Sequence, residues 1–394
     1  MNSSEIVASL GTASTSLPRV VVFADSPLPS LLGGAVGRGG GQAATWLSQV
    51  AEEFAKASDL EFIWVELKSG ERDSRIHRVG NQCFVELAHP RQSWDLALNH
   101  RLVKWKLKNL LHQLRPDVVH CWGTERLHAA ATEVAGCASI LSMQGILTRY
   151  KEIGGLPAMW QWNALVKAEP RWVKAATVVT SESQWGLDQV RAMGRTERLH
   201  QIEYGVHPSF YQLEWNPDPT DPFLLYSGSI DSRKGVDVLI EAAASNPGRR
   251  WRLEIAGDGP MREKLERRAI PGVLWLGSLN WNQLQQRLCK AWGFILPTRA
   301  DTSPNSVKEA RVVGLPVITT PNGGQVGYII DGENGWIVEP LEPSALAAAC
   351  DRLTTSVEVA RAMGANRHAR DRDYFLPTNT ANSFLKLYRE LTER

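Results

Sequence analysis

Short runs rich in valine, isoleucine and leucine alternate with stretches of helical periodicity, and the alternation recurs on both sides of a proline-rich interruption. Runs at 19–24, 61–67, 116–125 (a strand running into a polar loop), 140–144, 176–180 and 201–206 are followed by a second series. That series comprises 223–227, 251–256, 273–276, 292–296, 316–320 and 335–338. Continuous apolar strands separated by helix-length crossovers suit parallel sheets covered on both faces. Pro208, Pro217, Pro219 and Pro222 fall in a stretch of little periodicity, which reads as a linker. The sequence therefore predicts an α/β protein of two doubly wound, Rossmann-like domains facing across a cleft. A loose tail is expected over 1–18, an N-terminal domain over 19–207, a linker over 208–222 and a C-terminal domain over 223–370. A helical segment over 371–394 has the option of packing back on the N-terminal domain.

A length of 394 residues suits two domains. The net charge of +2 makes no electrostatic case for nucleic acid. Five widely spaced cysteines show no metal-ligand spacing and fit a reducing, cytoplasmic setting. Residues 1–18 lack a basic n-region and a long apolar core, and no run is long enough to span a bilayer. The helical pattern over 94–114 is amphipathic and basic. Such a helix usually docks on its own sheet, the reading taken here; contact with the inner face of an anionic membrane is the alternative.

Chemistry concentrates around 297–318. A helix is predicted over 304–313, with Ser303 as N-cap, Pro304 at its first position and Gly314 as C-cap. Its start would present free N–H groups and a positive dipole at the carboxyl edge of a strand, where α/β folds bind phosphate. Asp301 and Glu309 bracket it. Glu309 has two acceptor oxygens to match two ribose hydroxyls, and Asp301 suits sugar hydroxyls. Arg233 and Lys234, in the loop 228–235, can neutralise a diphosphate, although a basic pair alone is more often simply solvated. The glycine-rich stretch 26–41 between a strand and a helix can form a second cradle, although flexible loops look the same. His120 by itself reads as an interior histidine; the Trp122-Gly123-Thr124-Glu125 that follows moves it toward function.

The order Gly40-Gly41, Lys234-Gly235, Gly257-Asp258-Gly259-Pro260, Asp301 with Glu309, Gly314-Leu315-Pro316-Val317 and Gly323-Gly324 resembles the retaining, GT-B-fold glycosyltransferase family 4. The likeness covers nearly the whole chain after the tail and is strongest over 223–340. Asp301 stands where the family usually has glutamate, with the same seven-residue spacing to Glu309. Ser303-Pro304-Asn305-Ser306 replaces a Gly-Phe-Gly type loop, Ser229 an arginine, and Trp122 an N-domain histidine. The chain is thus similar to a variant branch with His-x-Trp-Gly-Thr-Glu and Ser-Pro-Asn-Ser segments.

The resemblance implies retaining transfer from a nucleotide-diphosphate sugar to the hydroxyl of a sugar or lipid-linked sugar, in cell-surface polysaccharide or glycoconjugate synthesis. It implies catalytic roles for Lys234, Asp301, Glu309 and His120. The donor would meet Gly40, Gly41, Gly228, Ser229, Arg233, Lys234, Gly257, Asp258, Gly259, Ser303, Asn305, Ser306 and Glu309. The acceptor would meet His120, Trp122, Glu125 and Gln144. It implies no metal and no cofactor, the nucleotide sugar being a co-substrate. A nucleotide-sugar epimerase of the same fold, or a non-catalytic binding module built on it, are the alternatives.

Overall fold

The computed structural model describes residues 17–25, 45–339 and 341–393. Gly40 and Gly41 lie outside them. The first sheet contains β1 (Arg19–Phe23), β2 (Glu61–Ser69), β3 (Arg75–Val79), β4 (Gln82–His89), β5 (Val118–Trp122), β6 (Ala138–Met143), β7 (Val178–Ser181) and β8 (Leu199–Gln201). Their order is β3-β4-β2-β1-β5-β6-β7-β8, and only β3 runs antiparallel to its neighbour. The second sheet contains β9 (Phe223–Ser227), β10 (Arg252–Ala256), β11 (Val273–Gly277), β12 (Gly293–Leu296), β13 (Val317–Thr319) and β14 (Gly335–Ile337). These six are parallel in the order β11-β10-β9-β12-β13-β14. Strand order thus reverses between β1 and β5 in one sheet and between β9 and β12 in the other. Beyond the carboxyl ends of such switch points, doubly wound folds open a crevice. The fold is GT-B.

Strand periodicity divides the first domain's interior into two layers. Val21, Phe23, Ile63 and Val65 face a core shared with the helices Arg101–Leu114 and Trp160–Ala175. Val20, Val22, Phe62 and Trp64 face another, shared with the helix Thr45–Phe54. The C-terminal helix Pro377–Thr392 belongs to this second layer: Phe384 and Tyr388 are fully buried in it. The chain crosses between domains twice, side by side. The Val206 N–H donates to the Phe375 carbonyl at 2.9 Å. A Cβ on Gly205 would come within 2.5 Å of the Pro377 backbone, so only glycine lets the strands pass.

Several local expectations are revised. The stretch 208–222 packs on the second domain: Phe210, in a short 3-10 turn, is buried in that domain's core, and the Trp215 indole donates to the Ala291 carbonyl. The pattern over 94–114 breaks into helices Gln92–Ala97 and Arg101–Leu114, with Asn99 and His100 left-handed between them. The buried Asp95 carboxylate accepts the N–H groups of Leu102 and Val103 at 2.8 and 2.9 Å. It thereby caps the second helix from within the first. The run 201–206 pairs only through Gln201 before leaving the sheet. The hairpin β3–β4 and the helix Trp160–Ala175 add elements that apolar alternation alone does not announce. Among the described residues no helix is long and apolar enough to cross a membrane.

Candidate active site

The loop after β9 carries the basic pair. Asp231 caps it by accepting the Lys234 N–H at 3.1 Å, and its other oxygen accepts the Ser229 hydroxyl at 2.7 Å. Gly235 follows at φ +71°, and a Cβ there would strike the Pro297 carbonyl oxygen at 1.9 Å. Lys234 is thereby pressed against the loop after β12. Its ammonium bonds the Asp301 carboxylate, and Arg233 Nη1 lies 3.3 Å from the same oxygen. Burial would raise the Asp301 carboxyl, but the two cations overcome this and hold it below the ordinary carboxylate range. Burial lowers Lys234, with Asp301 opposing. The structure therefore unites Arg233, Lys234 and Asp301, from two loops at the second sheet's switch point.

The helix after Asp301 begins one residue later than predicted. It spans Asn305–Val313, its N-cap is Pro304, and no side chain caps it. Ser303 turns its hydroxyl instead to Glu203, at 2.9 Å. The amides of the first turn are left without a side-chain acceptor from the cap, while Asn305 is exposed and Ser306 half-buried. Glu309 is half-buried, and burial pushes its carboxyl up to about 8 against the pull of Lys308. Among the described residues no group hydrogen-bonds that carboxyl. The Gly228 N–H donates to Ala256, and the Ile230 N–H to Asp258, which ties Gly228 and Ser229 to the Gly257-Asp258-Gly259 turn. The Asp258 side chain itself faces outward, accepting the Gly259 N–H at 2.7 Å.

Across the gap, the first domain holds a cavity of about 480 Å³ walled by Asp25, Trp122, Glu125, Arg126, His128, Gln144 and Trp162 among others. Its walls come wholly from the first domain; Lys234, Asp301 and Glu309 lie outside it. The two regions meet through Gln144, whose carbonyl accepts the Thr302 hydroxyl, next to Asp301. Arg233 also stacks on the Tyr150 ring at 4.8 Å, and the Ser232 hydroxyl donates to the Gly154 carbonyl. The half-buried Glu125 carboxylate lies over Gly123 and Gly145. A Cβ on either would meet its oxygens at 2.4 and 2.5 Å, so both glycines make room for it. Burial, with the nearby charges of Glu169 and Asp25, pushes Glu125 up to about 7.

His120 is corrected. It lies fully buried behind the cavity wall, Nδ1 2.6 Å from the Tyr388 hydroxyl and Nε2 2.7 Å from the Ser142 hydroxyl. Burial pushes it down to about 3, so it is neutral at physiological pH. Such a ring pins the C-terminal helix to the first sheet and presents nothing to an acceptor. The sequence reading missed His128. It lines the cavity, its Nε2 donates to the Trp122 carbonyl at 2.7 Å, and its Nδ1 therefore keeps a lone pair. A titratable residue just beyond Glu125 was the available signal.

Lys308 was also missed. Fully buried on the helix Asn305–Val313, it donates to Glu182 at 3.0 Å, Glu203 at 2.9 Å and the Tyr204 carbonyl at 3.1 Å. Burial raises the Glu182 carboxyl while the acids hold Lys308 charged. The helix start is thus bolted to the first domain. Among the described residues no three histidine, cysteine or acidic side chains gather as a metal site.

Two facing Rossmann-like domains with an anion-ready loop cluster define a class, the GT-B proteins. Sucrose-phosphate synthase from Thermosynechococcus elongatus superposes with a TM-score of 0.76 over 95% of this chain and 99% of its own, at 18% identity. Anabaena HepE, solved in complex with UDP and glucose, gives 0.70 over 95% and 100%, at 14% identity. Residues 211–370 match the family described as Glycosyl transferases group 1. Curated relatives are glycosyltransferases. A GDP-mannose-dependent alpha-mannosyltransferase of Corynebacterium glutamicum is 24% identical over 59% of this chain and 58% of its own length. The alpha-D-kanosaminyltransferase of Streptomyces kanamyceticus is 25% identical over 57% and 63%. The match spans about three-fifths of the length of these two relatives.

Proposed function

We propose that this protein is a retaining glycosyltransferase that moves a sugar from a nucleotide-diphosphate sugar to an acceptor hydroxyl, in cell-surface polysaccharide or glycoconjugate synthesis. The observation that carries the reading is the Arg233–Lys234–Asp301 cluster at a switch point, joined through Thr302 and Gln144 to a polar and aromatic cavity in the facing domain. In the apo protein Asp301 serves as counter-ion to Lys234 and Arg233. An arriving diphosphate takes over these cations and the free amides at Asn305 and Ser306. Asp301 is then free to accept hydroxyls of the donor sugar, and Glu309 those of the ribose.

As the C1–oxygen bond to the diphosphate breaks, charge grows on the leaving oxygen. Lys234, Arg233 and the helix start stabilise it there, without a metal in this reading. The acceptor hydroxyl attacks from the cavity on the face being vacated, and its proton passes to the departing phosphate oxygen. The anomeric configuration is thereby retained without a side-chain nucleophile. Glu125, Gln144 and His128 Nδ1 offer acceptors to orient sugar hydroxyls, and Trp122 and Trp162 offer ring surface. The contacts of Lys308, Ser183 and Thr302 hold the domains together and keep water from the donor. The setting we propose is cytoplasmic, consistent with five unpaired cysteines.

The test is a thermal-shift and calorimetric panel of nucleoside diphosphates and their sugars. At least one should protect the wild-type protein, and Lys234→Met should weaken that protection. Absence of protection by every member would overturn the reading.

A further inference from the structure

We propose that the outer face of the helices Gln92–Ala97 and Arg101–Leu114 docks on an anionic lipid bilayer. Trp94 is 69% exposed, Leu98 48%, Leu102 39% and Trp105 67%. Four large apolar side chains within one short stretch are not the scattered single exposures of an ordinary surface. Their spacing explains the clustering. Trp94 and Leu98 are one turn apart, the Leu98 N–H donating to the Trp94 carbonyl, and Leu102 and Trp105 are one turn apart on the next helix. Asp95 holds the two helices together at the bend by accepting the N–H groups of Leu102 and Val103.

Charge identifies the occupant. Between 91 and 115 the chain carries six basic residues and one acid. The acid is Asp95, which is fully buried and spent on the cap. Arg91, Arg101, Lys108 and Arg115 are exposed in the same stretch. Lys104 is paired to Glu133 and Lys106 bonds the Ala88 carbonyl, so these two serve the fold. A protein partner of mixed charge would leave this positive charge uncompensated. A leaflet of anionic headgroups matches it, and tryptophan suits the boundary between headgroup and hydrocarbon.

The face adjoins the cavity. Gln92, at the start of the first helix, lines it. So do Gln161 and Trp162, which directly follow Met159 and Trp160, themselves exposed to 51% and 49%. If the proposed transferase reading holds, an acceptor carried on a lipid would reach the cavity without leaving the membrane surface.

The experiment is co-sedimentation of the full chain with vesicles of phosphatidylcholine alone and of phosphatidylcholine with about one-third phosphatidylglycerol. Binding is expected to the anionic vesicles and to fall steeply as salt rises. Trp94→Ser/Trp105→Ser and Arg101→Glu/Lys108→Glu should each lower the bound fraction about tenfold. Their melting temperatures should stay at the wild-type value, because these side chains are exposed. Failure of the wild type to sediment with anionic vesicles overturns the proposal, as does undiminished binding by both variants. So does a concentration-dependent dimer that the tryptophan variant abolishes, without vesicle binding. Vesicle binding by a protein that no nucleotide protects would uphold docking and refute the transferase reading instead.

Discussion

Replacing Lys234 with methionine tests the centre of the proposed chemistry. Methionine keeps most of the side-chain volume and removes the charge. The folded apo protein should suffer first, because Asp301 loses its nearest counter-ion while its side chain stays about nine-tenths buried. Removing one partner of a buried pair costs about 3–5 kcal/mol. Arg233 remains 3.3 Å from the same oxygen, which favours the lower end. A cost of about 3 kcal/mol corresponds to a fall of roughly 4 °C in Tm for a chain of this size. Catalysis should suffer separately. Losing one preformed charge aimed at a developing oxyanion lowers kcat by about 10²–10³-fold, or roughly 3–4 kcal/mol. Scanning calorimetry and steady-state kinetics with the protecting donor, well below the variant's Tm, measure the two effects. Lys234→Met/Asp301→Asn removes the stranded carboxylate and should recover most of the lost Tm, while kcat stays low. A kcat for Lys234→Met within about threefold of wild type would refute the reasoning. So would recovery of kcat together with Tm in the double variant.

Glu309→Ala should raise the KM for the donor or the Kd of the nucleoside diphosphate about tenfold, since two hydrogen bonds to ribose hydroxyls contribute about 0.5–1.5 kcal/mol each; isothermal titration checks this. The Glu125 carboxyl is raised to about 7 in the folded protein, above its value of 4.5 when unfolded. The folded state therefore binds the extra proton, and stability is lost as pH rises between these values. Glu125→Gln should consequently melt higher than wild type at pH above 7 and lose that advantage toward pH 4.5, as melting curves across this range would show. His120→Ala should cost about 2–3 kcal/mol by leaving the Tyr388 hydroxyl unpaired and a cavity in the core, the Ser142 hydroxyl keeping its bond to Thr180. The surviving folded enzyme should keep its kcat, which kinetics normalised to folded protein can measure. Lys308→Met should strand Glu182 and Glu203, lower Tm and increase donor hydrolysis without acceptor; released nucleoside diphosphate reports the latter.

The two largely parallel sheets and the loops that carry Arg233, Lys234 and Asp301 were legible in the chain. Buried parallel strands must be continuously apolar, and a glycine after Lys234 is required wherever the loop presses on its neighbour. The hairpin β3–β4 was not legible, because half of its residues are polar and its pairing is made only in space. Nor was the break at Asn99 and His100, which depends on Asp95 reaching forward to cap a second helix. His120 looked functional because its sequence neighbours are; its true neighbours, Tyr388 and Ser142, are 268 and 22 residues away.

What the amino-acid order alone determined is the repeating strand–helix unit and the local chemistry of each connecting loop, since both depend on residues within a turn or two. Which loops face each other was decided by the tertiary structure. The C-terminal helix returns to the first domain, Lys308 finds two acids across the interface, and Thr302 meets Gln144. These contacts join residues separated by more than a hundred positions. Burial then reassigns the charges of Glu125, Glu182 and Glu309, because the free energy of an ion depends on the medium that surrounds it rather than on its place in the chain.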